Sequence, residues 1–197
     1  MAEVIVVSLT LAALVVLSQV APAVPPKAPA PPARSPVSLT VSVGHGQTWE
    51  DEGSIGSGTA AGGGMEWRFS PRWSLGADME RLGYHRDTPG LEWSGRTVLA
   101  SANLAYRFAA RGVSPYISGG FGGAFQRGET IDRIAPAAVS RPRTSASTMK
   151  YGAMGVQIPI GDRWTVSPDF RITFCNPPVD FAPSATMRFA VKAAFRL

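Results

Sequence analysis

MRFAVKAAFRL, residues 187–197, has two faces. Met187, Phe189, Val191, Ala193, Phe195 and Leu197 share one parity; Arg188, Ala190, Lys192, Ala194 and Arg196 share the other. Successive side chains of a strand point to opposite sides, so this segment presents an apolar face and a face of charged and small residues.

Seven earlier stretches carry the same alternation: 37–45, 58–69, 73–82, 96–108, 114–125, 148–160 and 164–174. Residues 73–82 set Trp73, Leu75, Ala77 and Met79 against Ser74, Gly76, Asp78 and Glu80. Residues 164–174 set Trp164, Val166, Phe170, Ile172 and Phe174 against Thr165, Ser167, Asp169 and Arg171. The intervening segments alternate in length, with long ones at about 46–57, 83–95, 126–147 and 175–184 and short turns between. This pattern predicts an all-β fold, an eight-stranded antiparallel up-and-down transmembrane β-barrel. Both chain ends then lie on the short-turn, periplasmic side. The rival is a soluble lipocalin-like ligand-binding barrel with its apolar face inside. Its solvated outer face would be dense in Lys, Glu and Thr. Here the polar parity is mostly Ser, Thr, Gly and Ala, which suits the lumen of a narrow barrel filled by side chains.

Aromatic residues give an independent check. Trp67, Phe69, Trp73, Tyr106, Phe108, Trp164 and Phe195 all fall near the short-turn end on the apolar parity. That is the place for an interfacial aromatic girdle. At the other end Phe125 and Phe174, with Tyr84, Trp93 and Phe181 nearby, make a less regular second girdle.

Composition agrees with many short strands and turns: 21 glycines, 17 prolines and only 17% charged residues. The balance of 19 Lys and Arg against 14 Asp and Glu is basic, but no basic helix or aromatic-basic module accompanies it, so no nucleic-acid partner is expected. A single cysteine, Cys175, excludes an intramolecular disulfide and a CxxC metal site; it reads as a small filler near a strand end. Residues 1–23 read as a signal peptide, with an apolar run from Val4 to Leu17 and an Ala21-Pro22-Ala23 cleavage site, although the leading segment carries Glu3 and no basic residue. Residues 24–36 are a proline-rich, extended lead-in, and 37–197 form the barrel.

These features resemble the small eight-stranded outer-membrane barrels of the OmpA transmembrane domain and OmpX type. The resemblance rests on PYISGGFGGAF (115–125), SPRWSLGADMERL (70–82), DRWTVSPDFRITF (162–174) and the closing strand. It implies a monomer in the outer membrane of a Gram-negative-type bacterium. The implied contacts are outer-membrane lipids, lipopolysaccharide and, during biogenesis, the barrel-assembly machinery. Leu197 stands where the family usually ends in phenylalanine, with Phe195 two residues back on the same face. The OmpA role of binding peptidoglycan is not implied.

The inward parity carries Glu66, Asp78, Glu80 and Asp169 against Arg68, Arg107, Arg171, Arg188, Lys192 and Arg196. Unpaired buried charges cost several kcal/mol, so an interior network is expected among Glu66, Asp78, Glu80, Asp169, Arg171, Arg188 and Lys192, plugging the lumen. Arg68, Arg107 and Arg196 are expected at the periplasmic mouth within reach of water. The long third connection carries Arg127, Arg133, Arg141 and Arg143, a basic extracellular loop suited to lipopolysaccharide phosphates or an acidic extracellular partner. Glu50-Asp51-Glu52 could pair with it or loosely hold divalent cations. No catalytic residue, metal or cofactor is expected. Small barrels of this size include lipid-modifying enzymes, which need a histidine beside a serine and an acid; only His45 and His85 are available. The leading expectation is a non-enzymatic barrel with a structural or surface-interaction role, the alternatives being a narrow pore or a lipid-modifying enzyme.

Overall fold

A computed structural model describes residues 36–50, 53–132, 139–176 and 184–197. The signal peptide and nearly all of the proline-rich lead-in, Arg133, Asp51, Glu52 and Phe181 lie outside the described residues. Eight strands follow in order: β1 (Val37–Glu50), β2 (Gly53–Trp67), β3 (Trp73–Thr88), β4 (Leu91–Arg107), β5 (Ser114–Asp132), β6 (Val139–Ile160), β7 (Trp164–Asn176) and β8 (Ala185–Arg196). Each pairs antiparallel with the next, and β8 returns to β1, closing the barrel. The seam runs from Ser38↔Arg196 to Trp49↔Ala185, and the Leu197 amide donates to the Val37 carbonyl at 3.1 Å, so both ends of the barrel meet at one rim. Closure removes the edges that an open sheet would expose.

The apolar parity faces outward on every strand. Val41 (62% exposed), Phe121 (72%) and Phe189 (68%) stand on the outside at mid-height, where water would make such a surface untenable for a soluble protein. The lipocalin-like alternative, with its apolar face inside, is therefore overturned. Trp67 packs on Phe69, Trp73 on Tyr106, Tyr106 on Phe108, and Trp164 on Phe195, making an outward-facing aromatic ring around the rim where the chain ends meet.

Strand lengths correct the expected loops. Three of the four long connections are largely ladder: β5 has 19 residues and β6 has 22, and their pairing runs unbroken from Ser114↔Gln157 to Asp132↔Val139. Arg127, Arg141 and Arg143 are thus strand residues, not loop residues. The β3–β4 connection, expected over 83–95, shrinks to Pro89-Gly90 between the paired Thr88 and Leu91. Proline followed by Gly90 at φ 93° has the sequence and sign of a type II turn. The physical reason is common to both cases. Beyond the lipid the outer face need not be apolar, so alternation fades while backbone pairing continues.

Inside, large side chains are fitted by missing ones. A side chain on Gly120 would meet the Tyr151 ring at 2.5 Å, and one on Gly155 the Tyr116 ring at 2.8 Å. These glycines let two tyrosines lie across a lumen too narrow for anything larger opposite them.

Candidate functional site

The lumen is stacked in layers. Lowest, nearest the rim where the ends meet, Arg107 on β4 is 2% exposed. Its guanidinium pairs with Glu66 on β2, and it donates to Gln157 Oε1 at 2.6 Å and Ser74 Oγ at 3.3 Å. The expectation that Arg107 reaches water at the mouth is therefore corrected. The lumen is narrow enough for the side chain to cross it and be covered by its partners. Arg68, in the turn after β2, is half-buried; burial and the neighbouring Arg107 lower its pKa to about 10, so it stays charged at neutral pH.

The middle layer joins β3, β7 and β8. Arg171 forks onto Asp78, donating to Oδ1 at 3.2 Å and Oδ2 at 3.1 Å, and lies 3.7 Å from Glu80 Oε2. Its guanidinium carbon sits 4.1 Å from the centroid of the Tyr151 ring. Asp78 also accepts from Ser101 Oγ at 2.7 Å and Asn103 Nδ2 at 3.2 Å. Arg188 bridges Glu80 and Asp169, one carboxylate on each terminal nitrogen. Tyr116 donates to the other oxygen of Asp169 at 2.6 Å. The Arg171 fork onto Asp78 is bidentate, and Asp78 and Asp169 each take further side-chain donors, which is how buried charge is compensated; among the described residues Glu80 is held by the two guanidinium groups alone.

Lys192 stands apart. Its Nζ lies 5.9 Å from the Tyr116 ring centroid; among the described residues it makes no direct ion pair and joins the expected network through its Coulombic attraction to the Asp78 carboxylate. Its register partners are Ser42 and Ser167, and the Asp78 carboxylate is already held in the Arg171 fork. Lys192 instead borders a polar cavity of about 30 Å³ shared with Glu66, Asp78 and Asn103, room for about two waters.

The upper layer is apolar. Leu99, Ala124, Met149, Tyr151 and Ala153 pack together with Cys175 against them, and Leu82 is wholly buried. Leu82, Leu99 and Met149 lie on the inward parity, and reading that parity as uniformly polar hides them. The ionic layer is thus capped by an apolar one.

The histidines are outside. His45 is exposed, in register with Thr59 and Phe189. His85 is directly opposite Ser94, with its Nδ1 4.0 Å from Glu92 Oε1. Among the described residues Ser94 makes no hydrogen bond to His85.

No curated protein is similar to the chain in sequence. Among solved structures the fold is similar to Neisserial surface protein A, with a TM-score of 0.63 at 13% identity over 84% of this chain and 99% of that one. It is also similar to a major outer membrane protein from Thermus thermophilus (0.58, 13%, 82% and 99%) and to Ail, the attachment invasion locus protein of Yersinia pestis (0.51, 14%, 81% and 98%). The model of the outer membrane protein beta-barrel domain matches residues 9–178, most of the sequence. With its largely apolar band outside and an ion-paired network of acids and arginines within, the chain belongs to that family and resides in the bacterial outer membrane.

Proposed function

We propose that this barrel is a closed, non-enzymatic element of the outer membrane that works as a structural or surface-interaction protein. The supporting observation is the lumen: Arg188, 2% exposed, ties Glu80 to Asp169 beneath an apolar layer, so a hydrated ion would have to displace both. Buried ion pairs of this kind resist re-pairing because each separated charge is left in a medium of low dielectric. Reconstitution into planar bilayers tests it: the purified barrel shows no discrete conductance steps. Regular single-channel openings in the wild-type protein would replace this reading with that of a narrow pore.

One arrangement favours a second reading, an acyl-ester hydrolase acting at the extracellular rim. His85 faces Glu92 at 4.0 Å and stands across the ladder from Ser94, which brings a base, an orienting acid and a hydroxyl to one outward patch. Ester hydrolysis of outer-leaflet lipids by the wild-type barrel, abolished in Ser94→Ala, would establish it. The closed structural reading expects no turnover above the detergent blank.

A further inference from the structure

The outer face of β3 to β5 changes character near one height. Ten residues along β4 separate Tyr106 in the aromatic ring from Arg96, and ten along β5 separate Ile117 from Arg127. At about 3.3 Å per residue and a tilt of about 40°, that is a rise of about 25 Å, the height of the apolar band of an outer-membrane barrel. Arg96 and Arg127 therefore stand where hydrocarbon gives way to the headgroups of the outer leaflet.

Their register is unusual. Arg96 and Arg127 are direct cross-strand partners on the outer face, and both are exposed. Like charges directly opposite one another destabilise a sheet, and the repulsion grows where water is scarce. On the other side of Arg96 the register places Gly83, where an added side chain would meet nothing nearer than the Thr59 carbonyl at 3.9 Å. Arg81, also exposed, is one step lower on the same face of β3. Three guanidinium-bearing residues thus border an open notch with glycine at its floor. Among the described residues none of the three forms an ion pair. The carboxylates of this face stand higher: Glu129 is opposite Ser94, and Glu92 faces His85.

We infer that Arg81, Arg96 and Arg127 bind the phosphate of an outer-leaflet lipid headgroup, with the acyl chains running down over Phe125 and Phe121. Guanidinium groups match phosphate oxygens bidentately, and an anion between Arg96 and Arg127 turns their repulsion into two charge-assisted contacts. Phe125 (58% exposed) and Phe121 (72%) supply the apolar track directly below. The site is independent of whether the lumen conducts or the rim hydrolyses esters.

The test titrates the folded barrel, in zwitterionic detergent, with a bisphosphorylated diglucosamine lipid, with the same lipid stripped of phosphate, and with inorganic phosphate. Bound lipid is counted by native mass spectrometry. The phosphorylated lipid binds at least about tenfold more tightly than the stripped one, and Arg96→Gln/Arg127→Gln abolishes that preference. Equal affinity for the two lipids, or a preference unchanged in the double variant, overturns the site. Inorganic phosphate binding as tightly as the lipid assigns a free-phosphate site and overturns the lipid. If the double variant fails to fold, seen as loss of the heat-dependent gel shift, the two-lipid comparison on the wild-type barrel decides alone.

Discussion

Arg188→Ala lowers the unfolding free energy of the barrel by about 3–5 kcal/mol, measured by urea titration in lipid vesicles. The size follows from what remains behind. Arg188 is the shared partner of Glu80 and Asp169, which are both deeply buried, so truncation strands two carboxylates in the lumen. Tyr116 still donates to Asp169, and Arg171 still lies 3.7 Å from Glu80, which limits the loss but does not replace a guanidinium. Removing all three charges together, as Arg188→Met with Glu80→Leu and Asp169→Leu, restores most of the stability, because an apolar filling carries no desolvation cost. A near-neutral result for Arg188→Ala alone would mean that water fills the middle of the barrel, and the plugged-lumen reading would fall with it.

Val191→Arg is the second large effect, about 2–4 kcal/mol of destabilisation in the same assay. Val191 is 51% exposed on the outer face of β8, between Val43 and Pro168 in register, and four residues above Phe195 of the aromatic ring. At that height a guanidinium has no partner and a long way to snorkel. Moving the same substitution up to Ala185, ten residues above Phe195, brings the cost down to about 0–1 kcal/mol. Equal costs at both positions would contradict a lipid-facing band bounded as described.

Much of this architecture could be read from alternation alone, because a membrane barrel imposes the same inside–outside rule on every strand. Residues 164–174 and 187–196 obey it, and these segments lie in β7 and β8. The rule also turned Asp78, Glu80, Asp169, Arg171 and Arg188 inward as one expected network, and in the structure they form ion pairs. It failed in two directions. Above the lipid the outer face is wet, so β5 and β6 continue as strands through residues with no apolar signal; only the Pro89-Gly90 dipeptide announced that β3 and β4 extend to a tight turn. Within the lumen, parity says which side chains point inward but not how far they reach. Arg107 therefore looked accessible when it is enclosed by Glu66, Gln157 and Ser74. Lys192 looked directly paired, whereas Arg171 takes the Asp78 fork and leaves Lys192 to act on that carboxylate at longer range. Leu82 and Leu99 were invisible for the opposite reason, being apolar residues on a parity read as polar.

The middle layer also has a bearing on assembly. Glu80 meets Arg188 across 108 positions of chain, and Asp78 meets Arg171 across 93. Contacts so distant in sequence form late, since the intervening loop must first be closed. An insertion intermediate holding β3 but not yet β7 and β8 carries its acids without their counter-charges, and those counter-charges arrive only with the last strands. Completion of the cylinder and the last neutralisation of its middle layer therefore coincide: a chain stalled before β8 lacks Arg188 and leaves Glu80 and Asp169 without their shared guanidinium.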